Sequence, residues 1–120
     1  MQVVLDFVDN LSETAHPNYF VNTVVLDARD ASPVTLNRVF QSEKLAYIAL
    51  AKQVSKVAGE VDEQGLRPVR ANWTAWQTMP AGMVIHFQDY QLGGHGLRTY
   101  VVPWSAVRPL LTPYALELIG

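Results

Sequence analysis

Ser42-Glu43-Lys44-Leu45-Ala46-Tyr47-Ile48-Ala49-Leu50-Ala51-Lys52-Gln53-Val54-Ser55-Lys56-Val57-Ala58-Gly59 is the stretch whose reading decides the fold. Ser42 reads as an N-cap, a hydroxyl that accepts from an unpaired N–H of the first turn, and Glu43 follows where the helix dipole favours an acid. Gly59 supplies the stop, which predicts a helix over 42–58. Tyr47, Leu50, Ala51, Val54, Val57 and Ala58 recur at helical spacing and predict one apolar stripe, with Lys52 and Lys56 opposite. Leu45 and Ile48 fall outside that stripe, so the first half of the helix is expected to touch more than one neighbour.

Outward from the helix the pattern is extended. Residues 2–8 and 20–26 are rich in β-branched and apolar side chains and predict two strands, separated by a polar connection that holds Pro17. Beyond Gly65, strands are expected over 72–77 (with Trp73 and Trp76), over 82–88, where Met83, Ile85 and Phe87 alternate with Val84 and His86, and over 99–102. Ser105 reads as the cap of a short helical turn, and Thr112-Pro113 as a cap and first-turn proline for a short C-terminal helix. One main helix among hairpin-connected strands predicts an α+β fold, the helix packed on a largely antiparallel sheet. No repeat, low-complexity tract or charge block divides the chain, and 120 residues suit a single domain over 1–120.

Composition excludes several classes. Apolar residues at 49% and charged residues at 17% are not those of a disordered chain. A net charge of −2 is not the profile of a protein that neutralises many phosphates, so no nucleic acid partner is expected. No apolar run reaches the ~20 residues of a membrane-spanning helix, and no membrane insertion by this segment is expected. Without cysteine there is no disulfide, thiolate metal site or cysteine nucleophile. The first residues lack a basic n-region and Asp6 interrupts their apolar run, which is not the pattern of a signal peptide.

The chemistry-bearing residues are scattered. His16, His86 and His95 show neither HxH nor HxxxH spacing, so neither a metal nor a cofactor is expected. His16 is expected to orient its connection, and His86 to lie on the solvent side of the sheet. Ser105 has no G-x-S-x-G elbow, and Gly93-Gly94-His95-Gly96 is followed by no Lys-Ser/Thr, so neither a serine nucleophile nor a phosphate cradle is read there. Asp6, Asp9, Asp27, Asp30 and Asp89 read as solvated loop charges, and Lys44, Lys52 and Lys56 as a solvated helix face. Val34, Leu36, Val39 and Phe40 are expected to fill the core, with Trp73, Trp76 and Trp104 packed in it or at its edge.

The order of the motifs carries a resemblance. Ala15-His16-Pro17-Asn18, Val34-Thr35-Leu36-Asn37-Arg38-Val39-Phe40, Asn72-Trp73-Thr74-Ala75-Trp76, Pro80-Ala81-Gly82-Met83-Val84-Ile85-His86-Phe87, the loop at Tyr90, and Val102-Pro103-Trp104-Ser105 follow one another. Over roughly residues 3–113 this resembles the extracytoplasmic domain of unknown function shared by the lysozyme-sensing anti-sigma factor RsiV and a secreted mycobacterial immunogenic protein family. The resemblance implies a bacterial cell-envelope location, secreted or held by a membrane or lipid anchor. It implies a non-enzymatic binding or sensing domain whose ligand is a lysozyme-like protein or peptidoglycan. Phe87-Gln88-Asp89-Tyr90-Gln91-Leu92 stands where the family has an aromatic-Asn-Pro-Tyr-Glu-Ile pattern, so Asp89, Tyr90, Gln91, Leu92 and His95 of the 89–96 loop are the binding residues it implies. The glycine run 93–96 replaces a longer proline-containing stretch and predicts a shorter, more flexible loop. The alternative from a different class is a small hydrolase acting on an ester or glycan, using Asp89 and His95.

Overall fold

The computed structural model describes residues 21–94 and 96–119. The chain forms helices α1 (Leu36–Val39), α2 (Glu43–Ala58), α3 (Trp104–Val107) and α4 (Pro113–Ile119), and strands β1 (Trp76–Met79), β2 (Gly82–Phe87) and β3 (Arg98–Pro103). The strands make a three-stranded antiparallel sheet in the order β1-β2-β3. With α2 packed on it, this is the expected α+β class, short C-terminal helix included.

β2 is the central strand, and its register places Met83 opposite Val102, Ile85 opposite Tyr100 and Phe87 opposite Arg98. Met83, Ile85 and Phe87 are buried together with Leu50 and Val54 of α2, with Trp73 and Trp76 in the same core. Trp73 stacks on Tyr47 at 6.2 Å between ring centroids and meets the edge of Phe87 at 5.6 Å. His86, half-buried, bonds Thr99 Oγ1 through Nδ1 at 2.9 Å and Gln77 Oε1 through Nε2 at 3.1 Å, bridging both neighbouring strands. Gly82, after the Pro80-Ala81 turn, is dictated by close approach: a Cβ there would stand 2.1 Å from the Val102 carbonyl oxygen.

The main helix begins and ends where the sequence predicts. Ser42 Oγ accepts from the Leu45 N–H at 3.3 Å, and Gly59 takes φ +73° at the end. Its buried face is Ala46, Tyr47, Leu50 and Val54, and two expectations fail around it. Val57 is 67% exposed, while its neighbour Ala58 packs against the core, so the buried face in the last turn passes through Ala58 and leaves Val57 outside it. Leu45 and Ile48, expected to meet a second neighbour, are 52% and 47% exposed and belong to no buried cluster among the described residues.

The strand expected over 20–26 joins no strand of the described sheet. Val21–Leu26 is instead one arm of a hairpin around the turn at 27–32, where Val34 N–H donates to Val25 O at 2.8 Å and Leu26 bridges Pro33. Side chains tie this arm to the rest of the fold: Gln88 bonds both the N–H and the C=O of Val21, and Thr23 Oγ1 accepts from the Trp76 N–H. The strand expected over 72–77 starts only at Trp76, because Arg70–Asn72 is a 3-10 turn. That turn is held by the Asn72 side-chain amide on the Gln64 and Arg67 carbonyls and by the Trp73 indole N–H on Arg67 O. Ser105 caps nothing; Pro103 precedes α3 and Ser105 is exposed within it. Thr112 does cap α4, its Oγ1 accepting from Ala115 N–H at 3.1 Å. The predicted strand 2–8 and His16 lie outside the described residues.

Candidate functional site

The predicted recognition loop is seated against the 62–72 segment. Gln91 holds it: Nε2 donates to Gly65 O at 3.0 Å and to Asn72 O at 2.8 Å, while Oε1 accepts from the Gln88 N–H at 2.9 Å. Leu92 is buried in the core, and its carbonyl accepts from the Asp62 N–H at 3.0 Å. Asp89 Oδ1 accepts from the Gly96 N–H at 2.6 Å and closes the loop across its mouth. Tyr90 differs from these anchors, being 44% exposed and held at φ +64°, a region side-chain-bearing residues rarely occupy. Gly93, Gly94 and Gly96 all take positive φ, so the glycine run is spent on turning the chain. The structure thus brings Asp89, Tyr90, Gln91 and Leu92 into one loop, with Gln91 and Leu92 facing inward as its anchors. His95 lies outside the described residues.

A second concave region lies between the 23–37 hairpin, the first turns of α2 and the 70–76 segment, with a volume of about 420 Å³. Glu43 and Arg70 meet there through two parallel bonds, Nε to Oε1 and Nη2 to Oε2, each 2.8 Å. The Tyr47 hydroxyl also donates to Glu43 Oε1. The Arg70 hydrogen bonds, followed by that of Tyr47, hold the Glu43 carboxyl down at about 2. Burial, with the neighbouring carboxylate, pushes the Tyr47 phenol up to about 12. At neutral pH the group is therefore a fixed carboxylate, a fixed cation and a neutral phenol. No member is poised to exchange a proton.

The third cluster contradicts the reading of Asp27 as a solvated charge. Asp27 is only 2% exposed, at the start of the hairpin turn. Arg29 returns to it with Nε at 3.1 Å, Nη2 at 2.9 Å and its backbone N–H at 2.9 Å. Tyr114 of α4 adds its hydroxyl at 2.8 Å. The Arg29 side-chain bonds, then its backbone N–H, then Tyr114 hold the Asp27 carboxyl well below the ordinary carboxylate range against the opposing effect of burial. Arg38 and Arg29 flank the Tyr114 ring at 4.2 and 5.8 Å. The only local signal in the sequence is Asp27-x-Arg29 within a turn; Tyr114, far along the chain, gives none. The cluster ties the hairpin to α4, and its acceptors are occupied by the protein itself.

Among the described residues no three His, Asp or Glu side chains gather as metal ligands, and no helix is long and apolar enough to cross a membrane. No protein-family model matches the chain, and a search of curated proteins returns no match.

Proposed function

We propose that this chain is a non-enzymatic binding domain of the bacterial cell envelope, secreted or anchored, that recognises a lysozyme-like protein through the 89–96 loop. The observation that carries the reading is the contrast within that loop: Tyr90 is exposed at a fixed backbone conformation while Gln91 and Leu92 hold its base. A tyrosine so placed offers exposed ring area to a partner, as aromatic interface anchors do. The hydrogen bonds at the loop's base reduce the ordering cost that its glycine run suggests.

The test is titration of c-type lysozyme, and in parallel of soluble peptidoglycan fragments, against the parent and Tyr90→Ala. Lysozyme binding weakened by roughly 10–30-fold in a variant that melts like the parent supports the reading. Binding to peptidoglycan fragments alone moves the assignment from protein to glycan, and binding of lysozyme that Tyr90→Ala leaves unchanged removes the loop from the site.

A further inference from the structure

We propose that the cleft between the 23–37 hairpin and α2, separate from the Tyr90 loop, is a binding site for an uncharged, hydroxyl-bearing ring of monosaccharide size. Its volume of about 420 Å³ lies within the range of small-ligand pockets.

Charge decides the class of ligand. Among the described residues, the charged side chains lining the cleft are Glu43 and Arg70, and they pair with each other through a two-bond fork. An anion entering here would meet a guanidinium whose charge Glu43 already balances, and a cation a carboxylate that Arg70 balances, so neither finds an uncompensated countercharge. An uncharged ligand leaves the pair intact.

Polarity then narrows the class. Val24 and Pro33 offer apolar surface at the rim, while Thr35, Asn37 and Thr74 place hydroxyl and amide groups beside them. The Thr35 hydroxyl donates to Asn37 Oδ1, which fixes the amide's acceptor and leaves its two N–H donors for another partner. A wholly apolar ligand would strip water from these groups without replacing its hydrogen bonds. Along the hairpin the Val34 N–H is already given to Val25 O, so this stretch does not offer that donor to an incoming peptide strand. A sugar ring, apolar on its C–H face and rimmed by hydroxyls, matches both kinds of surface. Trp73 and Trp76 also line the cleft, so their indole N–H groups are reporters of its occupancy.

The experiment is an NMR titration of the full chain with glucose, N-acetylglucosamine and glucuronate, following backbone amides and indole N–H signals. The expected result is saturable shifts with a neutral sugar at 35–37, at Thr74 and at the Trp73 and Trp76 indoles, with glucuronate at least about 10-fold weaker. Asn37→Ala, an exposed change that leaves the core untouched, should weaken this binding about 5-fold or more, whereas Tyr90→Ala should leave it unchanged, so the cleft and the loop fail or stand separately. The proposal is overturned by the absence of saturable shifts with both neutral sugars. Shifts confined to the 88–94 loop, glucuronate binding as tightly as glucose, or a folded Asn37→Ala that binds like the parent would overturn it too.

Discussion

The Tyr114 hydroxyl donates to Asp27 Oδ2 at 2.8 Å, joining α4 to the first hairpin across 87 positions of sequence. Because Asp27 is buried, this bond and those from Arg29 stand in for water that the carboxylate has lost. Tyr114→Phe keeps the ring between Arg38 and Arg29 and removes only the hydroxyl. A fall in melting temperature of about 4–8 °C is expected by calorimetry, as befits one lost hydrogen bond to a buried charged acceptor. Asp27→Asn should fall further, since it weakens the Arg29 contacts as well. If Tyr114→Phe melts with the parent, the cross-link contributes nothing.

Acid should destabilise the fold through the same kind of group. Glu43 titrates at about 2 in the folded chain against an ordinary 4.5, and Asp27 is shifted in the same direction. A lowered folded pKa means that the unfolded chain takes up protons first. Stability is therefore fully present above about pH 5 and falls as the pH drops from there through about 2. Melting temperatures measured from pH 7 to pH 2 should be flat and then decline, and Glu43→Gln should shallow the upper part of that decline. Because Arg70 is exposed, the Glu43 share should shrink in high salt.

The seat of the loop rests on a glycine that periodicity does not mark. A Cβ on Gly65 would lie 1.9 Å from the Gln91 carbonyl oxygen and 2.7 Å from its carbon, and backbone atoms cannot step aside cheaply. Gly65→Ala should cost about 1–3 kcal/mol and raise amide hydrogen exchange at Asp62, whose N–H bonds Leu92 O. Unchanged exchange there would show that the loop does not need this close approach.

Burial along α2 separates two apolar positions that look alike in sequence. Leu50→Ala should cost about 2–5 kcal/mol in a denaturant titration, since Leu50 is buried in the core. Val57→Lys, near the helix end that favours a cation, should stay within about 0.5 kcal/mol of the parent. Equal costs at the two positions would mean that Val57 is covered in solution.

The fold class was legible in the residues, and so were the features that depend on near neighbours. Ser42 and Gly59 delimit the helix through hydrogen bonding and backbone freedom within one turn, and Thr112 caps α4 in the same way. The turn before Gly82 and the alternation of Met83, Ile85 and Phe87 mark a strand with one strongly apolar face for the same local reason. What only the tertiary structure decided depends on partners distant in sequence. Val57 fits the apolar stripe but is exposed, because the surface that meets the last turn covers Ala58 instead. Residues 72–75 have strand-like composition, yet the Asn72 amide and Trp73 indole find carbonyls of the preceding segment and hold the chain in a turn. Asp27 has the composition of a loop charge and becomes a buried one because Arg29 folds back on it and Tyr114 arrives from the other end of the chain. Propensity and periodicity report what a residue can do with its neighbours along the chain; burial and pairing are set by which surfaces meet across it.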